Sequence, residues 1–177
     1  MNTDAEKAAT GALYCCRDAT TCLRVLSGLT ISNGLCWSPD GSRFYHTDSW
    51  TRRIDTYDYN LESGGISNQH TLTQIPETDG CPDGMTIDTH GNLWVALWGG
   101  GAVVCLDGLN GEELARVPLP VTQVTSCTFG GNALDELFIT TAAVSLTAQA
   151  RAAEPMAGDV FRARPGVKGL PLTLGQI

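Results

Sequence analysis

Two segments of the chain repeat one pattern of polar and apolar positions, fifty residues apart. In each segment a polar residue and a glycine open an alternating apolar stretch, a second polar-glycine pair follows, and another apolar run comes next. The two copies span residues 33–48 and 83–98. Alternation with a period of two is typical of β-strands, and turn residues between two such runs predict hairpins. Short strands that recur about every 40–50 residues are typical of β-propeller blades. The pattern therefore predicts an all-β fold.

Turn residues divide the chain into repeating units within one predicted domain, residues 1–177. The end of a blade is predicted over 11–26, complete blades over 31–74 and 81–119, and a further blade with a C-terminal strand over 124–177. The last unit includes an alanine-rich helical excursion near 145–154 and a final strand at Phe161-Arg162-Ala163. The prediction is thus a partial β-propeller of three to four blades.

A partial ring leaves blade edges open, although a propeller is stabilised by closing its ring. Open strand edges invite pairing with other chains. We therefore expect this sequence to lack N-terminal blades of a longer protein, as a fragment or through a misplaced start. The alternative is that copies of the chain associate through their open blade edges.

Composition narrows the possible partners and compartment. A hydrophobic content of 42% fits a globular chain, and a net charge of −8 argues against a nucleic-acid partner. No stretch approaches the roughly 20 apolar residues of a membrane span, and residues 1–7 lack the apolar core of a secretory signal. The sequence therefore predicts a cytoplasmic protein that binds neither membrane nor nucleic acid.

Seven cysteines form an odd set without a Cys-x-x-Cys pair. Cys36 and Cys127 lie among apolar strand residues. Such positions favour buried free thiols over disulfides or zinc ligands, which is consistent with a reducing compartment.

Asn33 and Asp83 occupy equivalent positions in successive units, and Thr125 takes this position in the third. The innermost strand of each propeller blade lines a central channel, so equivalent residues at its start converge on the axis. An amide oxygen and a carboxylate suit a hard divalent cation. Asn-Gly and Asp-Gly are also tight-turn dipeptides. However, a second turn in each unit, at Asp40-Gly41 and His90-Gly91, accounts for the hairpins, which favours a functional side chain at positions 33 and 83.

The sequence resembles the regucalcin/gluconolactonase family, also called senescence marker protein 30. The resemblance runs from about residue 11 to 170, and five ordered motifs carry it: ISNGL at 31–35, WSPDG at 37–41, PDGM at 82–85, GNLWVA at 91–96 and TSCTFGG at 125–131. It implies a six-bladed β-propeller that hydrolyses small sugar lactones with one divalent cation, Ca²⁺, Zn²⁺, Mn²⁺ or Mg²⁺, in the channel.

Carried over by motif, the resemblance makes Asn33 and Asp83 metal ligands and gives Asp83 a catalytic role in proton transfer. The family's metal-binding glutamate and its substrate-contacting arginine and asparagine fall in regions that this sequence does not contain. The resemblance therefore implies a gluconolactonase-like hydrolase with an incomplete active site.

Two other functions remain open at this stage. One is a calcium-binding regulatory protein of the regucalcin type without catalysis, which would use the same Asn33 and Asp83. The other is a repeat scaffold that binds protein partners on its exposed blade faces.

Overall fold

The computed structural model describes residues 8–16 and 20–171, which form four antiparallel sheets. The strands are β1 (Gly11–Cys16), β2 (Cys22–Leu29), β3 (Ser32–Trp37), β4 (Arg43–Asp48), β5 (Arg53–Asn60), β6 (Gly65–Gln74), β7 (Cys81–Ile87), β8 (Leu93–Trp98), β9 (Ala102–Leu106), β10 (Glu113–Pro118), β11 (Val124–Gly130), β12 (Glu136–Thr141) and β13 (Val160–Ala163). A 3₁₀ turn spans Glu77–Asp79, and helix α1 spans Ala148–Ala153. The all-β prediction is confirmed, as are the helical excursion and the final strand.

Each sheet is a meander in which every strand pairs with the next along the chain. The sheets are β1–β2, β3–β6, β7–β10 and β11–β13. The first strand of each later sheet packs against the first strand of the preceding one, so that β3 contacts β7 and β7 contacts β11. The three strands therefore form the inner edge along which successive blades meet.

The hydrophobic core consists of two clusters, one on each face of the β7–β10 sheet. Leu93, Val95 and Leu97 of β8 pack towards the β3–β6 sheet. Trp94 and Ala96 of the same strand pack towards β11 and β12. Successive residues of a strand point to opposite faces, and both faces of this sheet are buried. The apolar run of β8 is therefore continuous rather than alternating.

The cysteine prediction is confirmed in part. Cys36 and Cys127 are buried free thiols, and burial raises the pKa of Cys127 to about 12. Disulfides were not expected, but Cys16 and Cys22 are bonded to each other. They lie directly opposite one another at the end of the β1–β2 hairpin, so the strand register brings the two sulfur atoms together.

Within the described residues, no helix has the length and apolar character needed to cross a membrane.

Candidate metal site

The three inner strands share an irregularity at equivalent positions. In β3, Asn33 and Gly34 together oppose a single residue of β4, because the register shifts between Ser32 and Leu35. The register of β7 shifts in the same way at Asp83 and Gly84. That of β11 shifts around Thr125. A β-bulge redirects a side chain and is common beside functional sites. The repeat therefore places three redirected side chains at the same level of the inner edge.

Gly34 and Gly84 permit close packing between blades. Their φ angles are not positive, unlike those of Gly41 and Gly91 in the hairpin turns, which are 69° and 85°. A Cβ atom on Gly34 would lie 2.5 Å from the carbonyl oxygen of Asp83. One on Gly84 would lie 2.6 Å from Cβ of Ser126 in β11. These glycines therefore belong to strands, and they allow the backbone of one inner strand to approach the next.

Asn33 and Asp83 come together across this close approach. Asp83 is buried, with 8% of its surface exposed, whereas Asn33 is partly exposed. Burial raises the pKa of the Asp83 carboxyl from 3.8 to about 6. Hydrogen bonds from the Asn33 side chain and from the Gly84 backbone N–H oppose this rise. The structure thus brings the two predicted site residues into contact.

The Asp83 carboxylate is not neutralised by a basic side chain. Among residues 8–16 and 20–171, no arginine, lysine or histidine forms an ion pair with it. A buried carboxylate is costly unless it is paired, protonated or bound to a cation. Together with the amide oxygen of Asn33, it forms a set of hard oxygen donors that fits Ca²⁺, Mg²⁺ or Mn²⁺.

Ser49 is a member of the site that sequence reasoning missed. Nδ2 of Asn33 donates a hydrogen bond to Ser49 Oγ at 3.1 Å. Ser49 Oγ donates in turn to the carbonyl oxygen of Pro82 at 2.6 Å. The serine lies just after β4, and its hydroxyl connects the segments that carry Asn33 and Asp83.

The other buried carboxylates have structural partners. Asp48 accepts hydrogen bonds of 2.9 Å from the backbone N–H groups of Thr30 and Ile31. Asp88 accepts one of 3.1 Å from Trp94 Nε1 and further bonds from its own turn. These contacts hold loops in place and leave Asp83 as the acidic residue beside Asn33.

Histidines do not add to the candidate site. His46 lies buried in β4 against the hydroxyl of Ser32, and burial lowers its pKa. His70 and His90 are exposed. In the part of the chain that the structure describes, no group of three or more His, Cys, Asp or Glu side chains could hold a metal ion. Any cation here would therefore depend on Asn33 and Asp83 together with water, substrate or further ligands.

We expect Asp83→Asn to raise the free energy of unfolding at pH 7 by about 1–2 kcal/mol, below the full linkage value because the side chain is not fully enclosed. The raised pKa means that the folded chain favours protonated Asp83. The contribution of protonated Asp83 to the stability of the folded wild type is complete below the unfolded pKa of 3.8. It is lost as the pH rises through about 6. Urea unfolding at pH 4 and pH 7 should therefore show a smaller difference between wild type and variant at pH 4.

Asp40→Asn is the matched control for this prediction. Asp40 is exposed, and hydrogen bonds from Ser38 and Ser42 lower its pKa to about 2. Removing its charge should bring no gain in stability at pH 7. If Asp40→Asn and Asp83→Asn changed the free energy of unfolding at pH 7 equally, burial of the Asp83 carboxylate would not be destabilising.

Comparison with known proteins identifies similar sequences. Residues 1–143 match the family model described as SMP-30/Gluconolactonase/LRE-like region. Regucalcin of Danio rerio is 41% identical over 161 residues, which cover 90% of this chain and 55% of the relative. The chain thus spans about half the length of the relatives that it matches.

Solved structures support the same relationship. A regucalcin from Agrobacterium tumefaciens strain C58, described as a calcium-binding protein, matches all of this chain with a TM-score of 0.91 and 29% identity, over 59% of its own length. A gluconolactonase from Xanthomonas campestris matches 75% of this chain with a TM-score of 0.63 and 29% identity, over 42% of its own length. These matches confirm the partial propeller that the repeat predicted and, separately, the family resemblance.

Proposed function

The chain belongs to the SMP-30/gluconolactonase/LRE-like family, and we propose that Asn33 and Asp83 supply two ligands of a divalent-metal site for the hydrolysis of sugar lactones. The observation that carries this proposal is the contact between the two side chains across the blade boundary. Asp83 lies close enough to Asn33 for the amide to lower its pKa, is buried and has no basic partner among the described residues. An arrangement of this kind favours a bound cation.

The chain's own residues would bind the cation and handle a proton. A divalent cation would act as a Lewis acid that polarises the lactone carbonyl. Asp83 would also hold or accept a proton at its carboxylate, the role that membership of the family suggests for it. Asn33 is neutral, and its amide oxygen would be the second ligand of the cation. Two protein ligands leave most positions of a six- to eight-coordinate ion to water or other groups, so binding to this chain should be weak.

We expect the metal-stripped chain to bind Mn²⁺ with a dissociation constant on the order of 1 mM, since the proposed site has two protein ligands. Electron paramagnetic resonance of free Mn²⁺ measures this binding. Asp83→Ala should abolish binding because it removes the only charged ligand. Hydrolysis of glucono-δ-lactone, followed with a pH indicator, should show a metal-dependent increment over the blank that Asp83→Ala loses.

Asp40→Ala serves as the control, because it removes an exposed carboxylate at a hairpin turn. Its Mn²⁺ binding should equal that of wild type. Unchanged Mn²⁺ binding in Asp83→Ala would contradict the site, and hydrolysis that persists in a chelator would contradict the metal-dependent reaction.

A second candidate function is calcium binding without catalysis. The match with a TM-score of 0.91 to a regucalcin described as calcium-binding favours it. It uses the same two side chains, so binding alone does not separate the two functions. Calcium binding that Asp83→Ala abolishes, with no metal-dependent lactone hydrolysis in wild type, would favour this candidate.

A further inference from the structure

We infer that Ser49 is a positioning residue that orients the amide of Asn33 so that its oxygen, rather than its nitrogen, is available to a cation. This inference rests on the proposed function, in which Asn33 is a ligand. It concerns which end of the amide faces the site, a property that the identity of residue 33 alone leaves open.

The hydrogen-bond chain determines the amide's orientation. The Ser49 hydroxyl has one proton, and it donates this proton to the carbonyl oxygen of Pro82 at 2.6 Å. A carbonyl oxygen can only accept, so Ser49 Oγ must accept the hydrogen bond that it shares with Asn33 at 3.1 Å. The atom of Asn33 that faces Ser49 must therefore be the donor Nδ2. Nδ2 is also the end of the amide that lowers the pKa of Asp83, because only an N–H group can donate to a carboxylate. The carbonyl oxygen Oδ1 is the opposite end of the amide and donates to neither group.

The distinction matters because the two ends of an amide are chemically opposite. Oδ1 can bind a cation, whereas the N–H groups of Nδ2 carry partial positive charge and would repel it. A flip of the Asn33 amide would set two acceptors, Oδ1 and Ser49 Oγ, against each other unless Ser49 gave up Pro82. The Ser49 hydroxyl and the Asp83 carboxylate both act as acceptors for Nδ2, so they favour the same amide orientation. Because Pro82 directly precedes Asp83, the same hydroxyl also ties the two ligand segments together.

Ser49 is itself held in place. Its backbone N–H donates to the carbonyl oxygen of Ile31 at 3.0 Å, and its own carbonyl accepts from Arg52 N at 3.2 Å. Its residue surface is 7% exposed, so water has little access to replace it. The Ser49 hydroxyl is thus a fixed acceptor, and the Asn33 amide takes the orientation that directs Nδ2 towards it.

The repeat provides an internal comparison. Position 98 is equivalent to Ser49 in the β7–β10 blade, because it lies opposite Cys81 as Ser49 lies opposite Ile31, and position 142 is equivalent in the β11–β13 blade. Trp98 and Ala142 stand there, and neither has a hydroxyl. The blade fold therefore forms without one. Asp83, the ligand of the β7–β10 blade, has a carboxylate with two equivalent oxygens and needs no such orientation. The hydroxyl occurs beside the one candidate ligand whose two ends differ.

The first test uses the metal-free chain, so it does not depend on the proposed function. In a ¹⁵N-resolved NMR spectrum, the side-chain NH₂ pair of Asn33 is assigned by its loss in Asn33→Asp. Ser49→Ala should shift this pair and increase its exchange with solvent about tenfold, because Nδ2 loses the acceptor of its 3.1 Å hydrogen bond. Ser49→Thr keeps a hydroxyl and should restore the wild-type signal. An unchanged pair in Ser49→Ala would overturn the inference.

The second test is a double-mutant cycle on Mn²⁺ affinity. With Asn33 in place, Ser49→Ala should weaken Mn²⁺ binding about tenfold. This is the lower end of the loss in metal affinity that follows when a residue that orients a ligand is removed. In the Asn33→Asp background the same change should cost less than about twofold, because the oxygens of a carboxylate are equivalent. An equal loss in both backgrounds would show a merely structural role and overturn the inference. If wild type bound no Mn²⁺, the proposed function would fail, and the NMR comparison would still decide the role of Ser49.

Discussion

Alanine at Gly34 is expected to lower the free energy of unfolding by about 2–4 kcal/mol and to weaken Mn²⁺ binding at least about tenfold. The new Cβ would lie 2.5 Å from the carbonyl oxygen of Asp83 and 2.8 Å from the backbone nitrogen of Met85. Backbone atoms of a paired strand cannot swing aside as the end of a side chain can. Strand β3 must therefore withdraw from β7, which separates Asn33 from Asp83. Urea unfolding and a Mn²⁺ titration measure the two effects.

Gly65→Ala is the matched control for this substitution. Gly65 also lies in a strand, β6, but among the described residues a Cβ there would meet just the side-chain oxygen of Ser63, at 3.1 Å. That exposed side chain can move, so the change in stability should stay within about 0.5 kcal/mol and Mn²⁺ binding should not change. A Gly34→Ala chain with wild-type stability would contradict the close approach of the inner strands. A Gly34→Ala chain that lost stability but kept its Mn²⁺ affinity would contradict the site.

Alanine at Asp88 is expected to lower the free energy of unfolding by about 3 kcal/mol, because it leaves one buried and three partly buried hydrogen-bond donors without their acceptor. Asp88 is fully buried. Its carboxylate accepts hydrogen bonds from His90 N at 2.9 Å, Asn92 N at 3.0 Å, Asn92 Nδ2 at 3.2 Å and Trp94 Nε1 at 3.1 Å. Trp94 packs against Phe129 of the next blade, so the damage should extend beyond the turn. The shift of the urea midpoint at a constant slope measures this loss.

Asp40→Ala provides the comparison for Asp88. Asp40 holds the corresponding turn of the preceding blade by hydrogen bonds from Ser38 and Ser42, but it is exposed. Water can replace the lost acceptor there, so the loss of stability should be much smaller. Equal losses for the two variants would show that burial of the Asp88 carboxylate does not determine its contribution.

Much of the fold could be predicted from local pattern. The period of two between apolar residues marks strands wherever one face is buried. Gly41 and Gly91, which have positive φ, mark the turns between those strands. The continuous apolar run of β8 was placed correctly because turn residues bound it on both sides. The Cys16–Cys22 disulfide was missed, although two cysteines that flank a polar turn were a usable signal. A hairpin whose strands pair directly places such residues opposite each other.

The candidate site was only partly accessible from sequence. The repeat singled out Asn33 and Asp83, because equivalent positions in successive blades must lie at equivalent places around an axis. Ser49 carried a weaker signal, a hydroxyl at a repeat position where Trp98 and Ala142 have none. No pattern indicated that this hydroxyl faces Asn33, since the contact joins a loop to the neighbouring strand.

The sequence by itself determined which segments are strands, where they turn and which polar residues recur at the inner edge, because these features depend on spacing along one chain. Only the tertiary structure decided that Asn33 and Asp83, fifty positions apart, lie close together and that burial raises the pKa of Asp83 to about 6. Both outcomes depend on how closely two backbones approach at Gly34 and how much water that approach excludes. The distance between Asn33 and Asp83 and the desolvation of the Asp83 carboxylate exist only once the blades have packed. They therefore cannot be read from the spacing of residues along the chain.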